Sequence, residues 1–336
     1  MRAFAFAVVS CLAGNAFAQT SVPSVPVGSI DVVIPAADPS QPSMTALIVP
    51  FNNVPSYVGA VYLLDASNKL SVTGAPWVSG EMVSVPTYVR LKSGSGKGRF
   101  FLVSSNTSSQ VTLDTGGFTL VSSLPENPNQ IQVNVGDKVE CIPASTLGSL
   151  FGANPTQLQS GVNATLADNV LLYDGTHWKV YFHDGTTWRN PQADGSQTNV
   201  VIPPNTGFFV RHRGTTPLTL VFSGIVPTTP EAVGLSKGAS RFTGNRFPMD
   251  STLAGLGLQA TPGWTSGVNA SAADGVKLWN GFKWEHYYYN GTNWRKAGSI
   301  LNYDDVVVPV GSGIYVVRQK GNTADVTLGF AVPYAF

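Results

Sequence analysis

Little of this chain is charged. Asp, Glu, Lys and Arg make up 12% of its 336 residues, about half of the roughly 25% usual in soluble domains. The 20 basic and 19 acidic residues are scattered, with no basic stripe to neutralise a phosphate backbone, so the composition excludes a nucleic-acid binder. Cysteine is nearly absent: only Cys11 and Cys141 occur. Since Cys11 falls in the leader segment, no internal disulfide is available and stability must come from packing. After the leader, no apolar run approaches the ~18 residues of a membrane helix. A Gly-x-Ser-x-Gly elbow, a phosphate-binding loop, a dinucleotide fingerprint and a His-Glu-x-x-His helix are all missing. The expectation is therefore a non-enzymatic protein with no cofactor and no metal.

What is present begins with an address. Arg2, the apolar run from Ala3 to Gly14 and then Ala16-Phe17-Ala18 form a secretory signal peptide, with cleavage expected after Ala18. Cys11 precedes Leu12-Ala13-Gly14 rather than following it, which argues against a lipid anchor. Loss of Arg2 leaves 19 basic residues against 19 acidic ones, a neutral mature chain. Charge repulsion does little to keep copies of such a chain apart.

An internal repeat organises the rest. Residues 161–190 and 267–296 match at 15 of 30 positions with a constant offset of 106, the kind of periodicity to seek before other signals. Short runs of Val, Ile, Tyr, Phe, Trp and Thr are punctuated by Asp-Gly, Asn-Gly or Pro every eight to twelve residues or so, the pattern of antiparallel strands. The chain is expected to be all-β, with short strands in sandwich or small-barrel modules. The expected layout is a signal peptide (1–18), a Pro-rich segment (19–43), a β module (44–143) and two repeat units (144–229 and 230–336).

Four stretches in fixed order, YVRLKSGSGKGRFFLVSSNTSSQVTLD, VGDKVECIPASTLGSLFG, YYYNGTNWRKAG and VVVPVGSGIYVVR, resemble an uncharacterised family of secreted verrucomicrobial-type β-rich repeat proteins. The resemblance spans about residues 44–333. It implies an exported β-rich protein with no catalytic residues to carry over. Some relatives end in a surface-sorting segment; none is seen here, so permanent anchoring is not expected.

The repeated word is Asp-Gly or Asn-Gly, then any two residues, then Trp. Asp174-Gly175, Asp184-Gly185, Asn280-Gly281 and Asn290-Gly291 are residue pairs that accept the backbone of a two-residue type I′ hairpin. On the strand after the first pair, Trp178, Val180 and Phe182 alternate with His177, Lys179, Tyr181 and His183, predicting one apolar face and one wet face. In the second unit Trp284, His286 and Tyr288 oppose Lys283, Glu285, Tyr287 and Tyr289. Trp188 lies opposite Tyr181 with a two-residue loop, or opposite Val180 with a bulged three-residue loop.

Two readings follow for Trp178, Trp188, Trp284 and Trp294. They fill cores and pack across strands, or they form a sugar-stacking platform, with Tyr287 and Tyr289 the most exposed members. His177 and His183 sit too far apart along one strand to chelate an ion together, and a zinc site needs His212 or Asp184 from elsewhere. Cys141 reads as a buried apolar residue. The terminal Phe330, Val332, Tyr334 and Phe336 share the parity of an outer-membrane strand, but Pro333 and the short strands oppose that. The expected role is a secreted structural or interaction protein of the cell surface or matrix, self-associating or bound to a surface protein. The alternative is a carbohydrate-binding module whose partner is a polysaccharide.

Overall fold

The computed structural model describes residues 25–127, 129–322 and 325–334. The leader and Phe336 lie outside them. The fold is all-β: two antiparallel sandwiches and a closed six-stranded barrel. Among the described residues no helix is long and apolar enough to cross a membrane.

The first sandwich is built from distant pieces of chain. Its five-stranded sheet runs in the order Trp188–Arg189, Trp178–His183, Asn169–Tyr173, Phe208–His212, Ser43–Leu47. A ribbon of Val27–Ile34 paired with Leu218–Ile225 covers one face. Alternation sends Leu218, Leu220 and Phe222 inward and leaves Thr219, Val221 and Ser223 outside. The inward set meets Ile34, Val170, Tyr181, Trp188, Phe208 and Val210 in one core.

The second sandwich repeats this pairing. Ser240–Gly244, Gly313–Val317, Gly275–Trp279, Trp284–Tyr289 and Trp294–Lys296 make its sheet, and Glu231–Leu235 with Val326–Phe330 makes its ribbon. Core residues recur at the 106-residue offset: Leu147 and Leu253, Val170 and Val276, Tyr181 and Tyr287, Trp188 and Trp294, Val210 and Val316.

The pairings place the N-terminal strands differently from the expected layout. Val27–Ile34 and Ser43–Leu47 do for the first sandwich what Glu231–Leu235 and Ser240–Gly244 do for the second. The Pro-rich segment is thus not merely a lead-in, and Met44–Leu47 belongs to the first sandwich rather than to the module that follows. In the second sandwich the chain passes directly from Phe247 to Leu253; in the first, the barrel interrupts the corresponding passage from Phe51 to Leu147.

That barrel closes in the order Lys138–Pro143, Tyr57–Ala66, Lys69–Val72, Gln110–Asp114, Phe100–Asn106, Thr87–Leu91. Register shifts after Val61, Leu64 and Val103 supply the bends that closure requires. Val89, Val111, Val139 and Cys141 fill its interior with no exposed surface. Burial pushes the Cys141 thiol up to about 12, so it is an apolar filler with no thiolate at neutral pH.

A buried ionic junction joins the three bodies. The Glu231 carboxylate of the second sandwich accepts from Arg246 Nε at 2.7 Å and from Asn52 Nδ2 at 3.2 Å. Arg90 of the barrel lies 3.6 Å from the other side of Glu231 and donates to Thr229 Oγ1 at 2.8 Å. Arg246 also reaches the carbonyl of Val49 at 2.7 Å. Gly98 lets the barrel approach closely, because a Cβ there would lie 2.8 Å from the Pro230 carbonyl oxygen. In return, the Ala232 amide donates to the Gly98 carbonyl at 3.2 Å.

Candidate functional site

The four hairpins turn one place later than the type I′ reading supposes. Tyr173 pairs with Trp178 and His183 with Trp188, so the Asp or Asn sits at the corner and the glycine is the first central residue. Only the glycines are left-handed, with φ from 100° to 101°. The cause is the corner side chain. Asp184 Oδ1 accepts from the Thr186 amide at 2.8 Å and the Thr187 amide at 2.9 Å, and Asp174, Asn280 and Asn290 do the same in their own turns. This Asx geometry takes over the bond that closes an ordinary turn. The Thr186 hydroxyl and then Arg189 hold the Asp184 carboxyl well below the usual carboxylate range.

That register puts Trp188 opposite His183, which neither expected loop allows, and assigns the faces the other way round. Tyr181 and Trp188 point into the first core, and His183 is buried beside them. His183 Nε2 donates to the Ala153 carbonyl at 3.0 Å, and Nδ1 meets Ser160 Oγ at 3.1 Å. In the second unit Tyr287 is 4% exposed and Trp294 is fully buried, with Tyr289 packed against that core. Tyr287 is therefore not the exposed candidate its sequence position suggests. Burial and then its bond to Glu285 keep its hydroxyl protonated.

The opposite face, expected to be a core, is the contact between the two sandwiches. Phe209, Phe242, Trp279, Trp284 and Tyr315 form one aromatic cluster there with Ala46 and Leu171. Trp284 lies 5.7 Å from Phe209 and 5.7 Å from Phe242 in edge-on contacts, the geometry favoured by ring quadrupoles. Trp178 reaches the rim of this cluster, 5.3 Å from Phe209. Its 39% exposure, and the 38% of its neighbour Tyr173, leave this pair open to solvent, as is the ring of Phe282 in the Asn280-Gly281 turn.

The buried carboxylates Asp168 and Asp274 have structural partners. Asp168 accepts from the Arg213 amide at 2.7 Å and meets His212 Nδ1 at 2.9 Å, while His212 Nε2 meets the Thr216 carbonyl at 2.9 Å. Asp274 and Arg318 occupy the same places in the second sandwich. Asn205, with φ of 61°, is the one left-handed non-glycine among the described residues, and Gly311, 106 residues on, has φ of 72°. The conformation is thus a property of the turn, one that Asn tolerates.

Three surfaces among the described residues stand out as able to meet another molecule. The first is the Tyr173–Trp178 pair. The second is the outer edge of Leu218–Ile225, which pairs on its other side with Val27–Ile34. The amide and carbonyl of Ile225 bond outward to Asn52. Antiparallel alternation therefore turns those of Thr219, Val221 and Ser223 outward too, and among the described residues no backbone group meets them. The third is a cleft of about 380 Å³ between barrel and sandwiches, which contains Arg99 and Arg241. No family model matches the chain, and no curated protein matches it.

Proposed function

We propose that this is an exported, non-enzymatic β scaffold of the cell surface or matrix that associates with copies of itself, built from two copies of one sandwich unit and related to the verrucomicrobial-type repeat family. The observation that carries the self-association is the open Leu218–Ile225 edge. Its eight residues include no charge and no proline, two of the devices by which edge strands are blocked. Exposed Val27, Val33 and Val221 flank the edge, so a second chain would gain apolar contact as well as backbone bonds. The neutral mature chain offers little repulsion against that approach.

Light scattering of the mature chain over a concentration series is expected to show association, weakened at least tenfold in Val221→Lys with the circular dichroism unchanged. A monomer at every concentration removes the proposal. A second reading, polysaccharide binding, is supported by the exposed Tyr173–Trp178 pair, whose ring centroids lie 5.3 Å apart. Retention on polysaccharide that survives Trp178→Ala would remove it.

A further inference from the structure

The cleft between the three bodies holds two arginines with no counter-ion. Arg90, Arg246 and Arg318, the most deeply buried arginines, each meet a carboxylate. Arg241, on the Ser240–Gly244 strand, does not: among the described residues no carboxylate lies within 4.0 Å of it, and its Nε is buried with no hydrogen-bond partner. Burial pulls its pKa down, the sign of a cation short of compensation. Arg99 stands in the same cleft, its guanidinium 4.3 Å over the ring of Phe118 and one nitrogen donating to Thr327 Oγ1 at 2.7 Å. Burial and then the charge of Arg241 lower the pKa of Arg99 as well. The acid in the cleft wall, Asp114, is engaged elsewhere: its Oδ1 accepts from the Gly116 amide at 3.1 Å.

An uncompensated cation that is partly buried is costly, and a partner from outside relieves that cost. The guanidinium fork suits a planar oxyanion. The rest of the wall suits a ring, since Phe100 and Phe118 line it beside Tyr88, whose hydroxyl is held protonated by burial and then by the charge of Asp114. A volume of about 380 Å³ falls in the range of small-molecule sites, roughly 300 to 1,000 Å³.

We propose that this cleft binds a ring-bearing carboxylate, with Arg241 taking the carboxylate, Arg99 adding to the positive field and the Phe100 and Phe118 rings facing the ligand body. A uronate sugar and an aromatic acid share this chemistry. The site is separate from the Leu218–Ile225 edge and does not depend on self-association.

The test is calorimetric titration of the mature chain at low salt with glucuronate and benzoate, each beside its neutral analogue, glucose and benzamide, and with inorganic phosphate. At least one carboxylate is expected to bind saturably and at least tenfold more tightly than its neutral analogue. The preferred carboxylate identifies the source as sugar or aromatic acid. Arg241→Gln is expected to lose at least tenfold in affinity while melting no lower than the parent, because it removes an unpaired charge. Arg99→Gln supplies the same affinity test should the first variant fold poorly. Carboxylates that bind no better than their neutral analogues, binding unchanged in the arginine variants, or phosphate binding as tightly as both carboxylates would each overturn the assignment.

Discussion

Glu231→Ala is expected to destabilise the protein by about 3–5 kcal/mol, the usual cost of removing one partner from a buried ion pair. The carboxylate has no exposed side-chain surface, and without it Arg246, with 1% exposure, keeps the Val49 carbonyl but loses its counter-charge. The loss is larger than a contact count suggests because three bodies share the group. Asn52 comes from the link into the barrel, Arg90 from the barrel wall and Arg246 from the second sandwich. Urea unfolding followed by tryptophan fluorescence measures the change. Replacing Glu231 and Arg246 together by apolar residues of similar volume should cost less than the single change, since a buried pair is often replaceable as a unit. A Glu231→Ala midpoint within error of the parent would show that the junction does not hold the bodies together.

Trp294→Ala is expected to cost about 3–5 kcal/mol by the loss of a large buried ring and the cavity left behind. Trp188→Ala should behave alike, because both rings are fully buried at equivalent places in the two cores. Trp188 adds a bond from Nε1 to the Gly152 carbonyl at 2.9 Å, so that carbonyl is left without its donor as well. Trp178→Ala should cost clearly less, since its ring lies at the rim of the aromatic contact and is 39% exposed. Thermal denaturation of the three variants ranks them. Equal losses would contradict the assignment of faces.

The sequence showed which residues turn and which alternate, but not which side of a sheet is covered. The Asx-Gly words occur at the hairpin corners because a short side chain and a glycine satisfy that backbone together. Trp178, Val180 and Phe182 read as a core face and Tyr181 and His183 as a wet one, yet both sides are buried. One side meets the ribbon and the other meets the second sandwich, and a period of two carries no information about partners. His183 shows the difficulty: a residue typical of surfaces sits inside because Ser160 and the Ala153 carbonyl satisfy its ring.

The place of the barrel was hidden for another reason. Ser43–Leu47 and Ser240–Gly244 take equivalent positions, with Met44 in the place of Ser240 and Leu47 in that of Thr243, but over that register the two strands share no residue. Edge strands are held by backbone bonds, so their side chains drift while the core keeps Phe51 and Phe247. The cleft was illegible too. Arg99 and Arg241 lie on different bodies, 142 positions apart by number, and no spacing rule connects them.

The proposed role rests on the open edge of Leu218–Ile225, and residue-resolved amide hydrogen exchange at two protein concentrations probes that edge directly. In dilute solution the amides of Thr219, Val221 and Ser223 should exchange quickly while those of Leu218, Leu220 and Phe222, bonded to Val27–Ile34, stay protected. At high concentration the first three should slow at least tenfold. Fast exchange of those three amides at both concentrations, with the alternate set unchanged, would contradict pairing of copies through this strand.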